Sequence, residues 1–93
     1  MPRYVVERNF EVGQPEMPTV ATRSRRVIEE EFPEITWEHS HVAVDDDGGV
    51  KTFCIYEAPN EETVLAHSRK VGAHEIKGIY EIVGDVTPED FPL

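Results

Sequence analysis

Basic residues are scarce in this chain. Nine Lys and Arg stand against nineteen Asp and Glu, a formal net charge of -10. A phosphate backbone demands a basic footprint, so the balance argues against nucleic acid as a partner, and equally against anionic membrane surfaces. There is one cysteine, Cys54, so no intramolecular disulfide can form, which fits a reducing cytoplasm. No apolar run approaches the length that spans a bilayer, and the N-terminus has no charged-then-apolar signal pattern. Repeats, low-complexity segments and domain linkers are missing too. We therefore expect a cytoplasmic protein of one domain, residues 1–93, with a tail over 85–93. The acidity favours solubility and attracts cations, but names no ligand.

What is present is organised around residues 35–58. ITWEHSHVAV and VKTFCIYEA, both rich in β-branched and aromatic residues, flank DDDGG. Asp-Gly between such runs is a strong hairpin signal. With Asp47-Gly48 at the centre of a two-residue turn, His41 falls opposite Cys54, His39 opposite Tyr56, Ser40 opposite Ile55 and Val42 opposite Phe53. Paired residues share a face and faces alternate along a strand. Trp37, His39, His41, Cys54 and Tyr56 are then expected on one face, and Ser40, Val42, Val44, Phe53 and Ile55 on the other, against the helices. A slip of one residue would invert this partition.

Around the hairpin, RYVVERNF over 3–10 reads as a first strand. Gly13, Pro15 and Pro18 make a loop of 11–18. Val20, Ser24, Val27, Ile28 and Phe32 recur at helical spacing and predict a helix over 19–32, ended by Pro33. Asn60 is a good N-cap for a second helix over 61–71, with Val64, Leu65, Ser68 and Val71 as its buried stripe and Gly72 beyond its end. IKGIYEIV over 76–83 is a fourth strand, and Phe91 is the apolar anchor available to the tail. The order βαββαβ is the ferredoxin-like α+β arrangement, a four-stranded antiparallel sheet with two helices on one face. The other face would carry Val5, Glu7, Trp37, His39, His41, Cys54, Tyr56, Tyr80 and Ile82. So much apolar area calls for a partner, and a homodimer joined sheet to sheet, forming a dimeric α/β barrel, is the expectation.

Two histidines at i and i+2 on a strand point the same way and can share a metal. Cys54 opposite them would complete a nitrogen–sulfur set for zinc, nickel or copper, and Glu7 adds a candidate oxygen. The simpler reading of His39 and His41 is a hydrogen-bonded interface pair, and of Cys54 a small buried hydrophobe. His67 sits at the edge of the second helix's apolar stripe, where packing is the simpler role. Asp45–Asp47 lack the ligand spacing of a calcium loop. An RNA-recognition motif, a CxxC metallochaperone and an acylphosphatase loop are each unmatched by the residues present.

Three stretches carry a family resemblance: MPRYVVER at the N-terminus, WEHSHV at 37–42 and FCIYEAPNEETVLAHSRKVG at 53–72. Together with the set Trp37, Ser40, Cys54, Tyr56, Glu57, Ala58, Pro59, His67 and Gly72, they resemble a family of small bacterial nickel-binding ferredoxin-like proteins, formerly a domain of unknown function. The resemblance covers nearly the whole chain. It implies a ferredoxin-like fold, a homodimer and nickel or another divalent transition metal, and it raises the standing of His67, which matches a recurrent family histidine. The chain departs from the pattern in its long DDDGG tip and its histidine-rich WEHSH. The expectation is a non-catalytic metal-binding protein for sensing or storage, with His39, His41, Cys54, Glu7 and His67 as candidate ligands. The alternatives are a cofactor-less dimeric-barrel enzyme of oxygenase or isomerase type, using His39, His41 and Tyr56 as acid/base groups on a small hydrophobic substrate, and a ligand-free interaction module.

Overall fold

The structure, a computed structural model, describes residues 1–93. Its elements are β1 (Arg3–Phe10), α1 (Met17–Glu31), β2 (Thr36–Val44), β3 (Val50–Glu57), α2 (Glu61–Val71) and β4 (His74–Ile82). Single turns of 3-10 helix precede α1 at Gln14–Glu16 and lie in the tail at Pro88–Asp90. Helix α1 starts two residues before the expected Thr19. Pro18 falls in its first turn, where a missing N–H leaves no intrahelical bond unmade. Two of the three acidic residues at its C-terminal end have basic partners, Glu29 with Arg25 at 3.0 Å and Glu31 with Lys70 at 3.3 Å. Helix α2 begins as the cap predicts: Asn60 Oδ1 accepts from the Thr63 backbone N–H at 2.9 Å. It ends at Gly72, whose φ of 69° lies in the region that favours glycine. Neither helix is long and apolar enough to cross a membrane.

The strands form one antiparallel sheet in the order β2-β3-β1-β4. Both helices pack on the same side of it. Tyr4 and Val6 of β1, Cys54 and Tyr56 of β3, Ile28 of α1 and Val64 of α2 form the core, with Ile35 and Ala58 beside them. The βαββαβ arrangement is as expected; the barrel is not. The sheet is open, with β2 and β4 as separate edges three strand spacings apart, about 14 Å. Four twisted strands are too few to curl round and pair those edges.

The hairpin register also differs from the expectation, by one residue. His41 pairs with Phe53, Ser40 with Cys54 and Val42 with Thr52. The cause lies in the turn. The Gly48 N–H donates to the Asp45 carbonyl at 3.0 Å and the Asp45 N–H to the Gly49 carbonyl at 2.9 Å, which makes a three-residue loop of Asp46, Asp47 and Gly48. Gly48 alone in this loop has positive φ, 82°. A two-residue type I′ turn would have required positive φ at Asp47 as well, at a steric cost that a three-residue loop with one left-handed glycine avoids. The Asp45 carboxylate holds the loop by accepting from the Asp47 and Gly49 N–H groups at 3.0 and 2.8 Å.

A second irregularity, at Glu38, turns Trp37 inward, where the expectation had placed it on the open face with His39 and His41. The pairing steps from Trp37–Tyr56 to His39–Ile55, so β2 spends an extra residue there. Trp37 and Ser40 therefore both face the helices, and the indole Nε1–H donates to Ser40 Oγ at 2.9 Å. The tail is tied by Asp85 to Arg3 at 2.9 Å, while Phe91, the expected anchor, is exposed.

Candidate functional site

On the open face, β2 presents His39 and His41 to solvent with ring centroids 5.3 Å apart and planes at 83°. Glu7 stands in the same cross-strand row as His41, two strands away through Phe53. Its carboxylate is engaged by the Lys51 ammonium at 3.0 Å. Between these polar groups, Val5, Phe53, Ile55 and Ile82 are half-buried and Tyr80 is exposed. Arg3 closes one end by donating to Glu38 at 2.8 Å and to Asp85 at 2.9 Å. The two carboxylates hold that guanidinium in its charged form well above the usual range, and Arg3 in turn lowers Glu38.

Cys54 does not join this pair. The one-residue register difference puts it on the helix-covered face, buried, with its thiol donating to Thr52 Oγ1 at 3.4 Å. Tyr56 goes inward with it, 1% exposed, and burial pushes its phenol up to about 12 although Arg8 pulls the other way. The three acid/base groups of the enzyme alternative thus lie on opposite sides of the sheet. His67 is buried under α2, its ring edge-on to Tyr56 and Phe32 at 5.7 and 6.2 Å. Its Nε2 lies 3.1 Å from Ser24 Oγ, while Nδ1 has no partner. Burial first, and then the charge of Arg8, depress its pKa to about 4, so the ring is neutral at pH 7. No three His, Cys, Asp or Glu side chains converge anywhere in one chain. The candidate ligands therefore separate into an exposed pair, His39 and His41, with Glu7 beyond them, and two residues of the interior, Cys54 and His67.

One interior residue escaped the sequence reading. Arg8 continues the inward series Tyr4 and Val6 along β1 and is 3% exposed. Its guanidinium donates to Tyr56 Oη at 3.0 Å and to Ser68 Oγ at 2.8 Å, and its Nε–H has no acceptor. The signal was available: period-2 parity places position 8 on the same face as positions 4 and 6. Arg8 also lines a cavity of about 70 Å³ between the sheet and the first half of α1, together with Ser24, Trp37, Cys54 and Tyr56.

A family model described as "Nickel responsive protein SCO4226-like" matches residues 4–82. Among solved structures, SCO4226 from Streptomyces coelicolor A3(2) superimposes with a TM-score of 0.67, covering 90% of this chain and 99% of that one at 16% identity. At that identity the likeness speaks for the fold. No curated protein matches the chain.

Proposed function

We propose that this chain, which belongs to the SCO4226-like family of nickel-responsive proteins, binds a divalent transition metal of the nickel type in a non-catalytic sensing role, as a homodimer. The observation that carries the reading is the exposed pair of imidazoles His39 and His41 on the open face, with no third ligand within the chain. Imidazole nitrogens suit nickel, zinc and copper, and four of them in a tetragonal set suit Ni(II) or Cu(II). Two protomers apposed about a two-fold axis would supply four, so the site is completed by assembly. The same apposition would cover Val5, Phe53, Ile55, Tyr80 and Ile82, whose exposure otherwise has no structural purpose. Glu7, two strands from His41 and held by Lys51, stays outside this set. The reducing cytoplasm suits a protein whose one thiol is free and buried.

The test is a thermal melt and a sedimentation run on tag-free protein with and without nickel. Nickel is expected to raise the melting temperature with concentration and to favour twice the monomer mass. Changing His39 and His41 together to alanine should remove both effects and leave the metal-free melt in place. Because both imidazoles must be deprotonated to ligate, the nickel effect should weaken in acid. An undiminished nickel shift in the double variant would move the site to the interior, where His67 and Cys54 are the remaining candidates.

A further inference from the structure

The helix-covered face holds a positive charge with nothing negative beside it. The chain has nineteen carboxylates, yet every ion pair in the structure is made by Arg3, Arg25, Lys51, Lys70 or Lys77, and none by Arg8. A guanidinium keeps its proton when buried, so Arg8 is a cation in the interior. Both its acceptors, Tyr56 Oη and Ser68 Oγ, are neutral hydroxyls, and its Nε–H is unmatched. A buried charge is tolerated when it is paired, so the arrangement is short of one negative charge.

The cavity lined by Arg8 supplies the room for it. At about 70 Å³ it is under half the size of the engineered cavity of roughly 150 Å³ that holds benzene, which points to a ligand of about two to four carbons. Nine of its fourteen lining residues are hydrophobic, among them Val20 and Ala21 of α1 and Val42 of β2. Val42 is exposed, so the cavity meets solvent at the β2 edge. The two histidines near Arg8 add no second charge: His67 and His74 are both lowered, by burial first and then by Arg8 itself. A divalent anion would leave one charge unmatched among apolar groups.

We propose that this cavity binds a short-chain monocarboxylate, its carboxylate accepting from Arg8 and its apolar tail packing between the sheet and α1. The site lies across the sheet from His39 and His41 and requires neither metal nor dimer. The unmatched Nε–H is the Arg8 donor left for a carboxylate, and Ser40 and Thr52, whose oxygens accept from Trp37 and Cys54, keep their own O–H groups to donate in the lining.

The experiment is a titration of the metal-free full chain with sodium propionate, against sodium chloride at equal ionic strength, followed by NMR at the Arg8 Nε–H and Trp37 indole N–H. Propionate is expected to shift both signals saturably and to raise the melting temperature, and chloride and sulfate to do neither. Ala21→Leu fills the cavity without touching Arg8 and is expected to weaken propionate roughly tenfold or more. Arg8→Met should abolish the response, and if that variant fails to fold, Ala21→Leu decides alone. Hexanoate, too long for the space, is expected to bind more weakly than propionate. Equal responses to propionate and chloride, an unweakened Ala21→Leu variant, or hexanoate binding as well as propionate would each overturn the proposal.

Discussion

The two faces of the sheet are built from alternate residues of the same strands, and they treat charge in opposite ways. On the open face Arg3 meets Glu38 and Asp85, and Glu7 meets Lys51, all at 2.8 to 3.0 Å and all part-exposed. Such pairs are screened by water and add little to stability. One residue along β1, Arg8 faces the helices and is held by two neutral hydroxyls. The open face satisfies its charges and leaves two imidazoles free for a ligand from outside. The covered face has an interior cation whose natural complement is a ligand small enough to enter. Position relative to water, rather than the number of charges, decides what each can be used for.

The strongest way to break this comparison is to truncate one aromatic from each face of β3. Tyr56→Ala opens a core cavity and should cost about 3–5 kcal/mol in urea unfolding. Phe53→Ala, measured metal-free and dilute, should cost about 1 kcal/mol or less. Similar losses, or the reverse order, would mean that the hairpin pairs in the other register.

A second contrast is in pH. Native His67 titrates near 4 and unfolded histidine near 6.5, so below pH 6.5 the unfolded chain takes up a proton that the native chain refuses. This contribution is present in full above pH 6.5 and is lost as pH falls towards 4, with a slope of up to about 1.4 kcal/mol per unit and a total of about 3 kcal/mol. His74 is lowered too and acts in the same direction. Urea midpoints from pH 7 to 4 should show the fall, and His67→Gln should flatten it by nearly one proton.

Smaller effects sharpen the picture. Gly48→Ala places a Cβ at φ 82° and should cost about 1–2 kcal/mol, since the loop that sets the register depends on that left-handed position. The His39 and His41 double alanine, measured without metal, should stay within about 0.5 kcal/mol of the parent, because both rings stand in solvent.

The element order, the first strand at 3–10, the Asn60 cap and the Gly72 stop were legible in the sequence because each is decided within a few residues, by apolar period, by a side chain reaching its own backbone or by a φ only glycine adopts readily. The shared direction of His39 and His41 was legible for the same reason, since i and i+2 on a regular strand share a face. What stands opposite them was not. Two loop geometries fit DDDGG, and the choice between them moved Cys54 and Tyr56 through the sheet, while the extra residue at Glu38 moved Trp37 with them and set it beside Ser40. Whether the sheet closed was likewise beyond reach, because closure depends on strands distant in sequence. The chain by itself determined its elements and the alternation within each regular stretch of strand; the tertiary structure decided where that alternation breaks and which side met water, because strand register is settled by packing across the whole sheet rather than by neighbours along the chain.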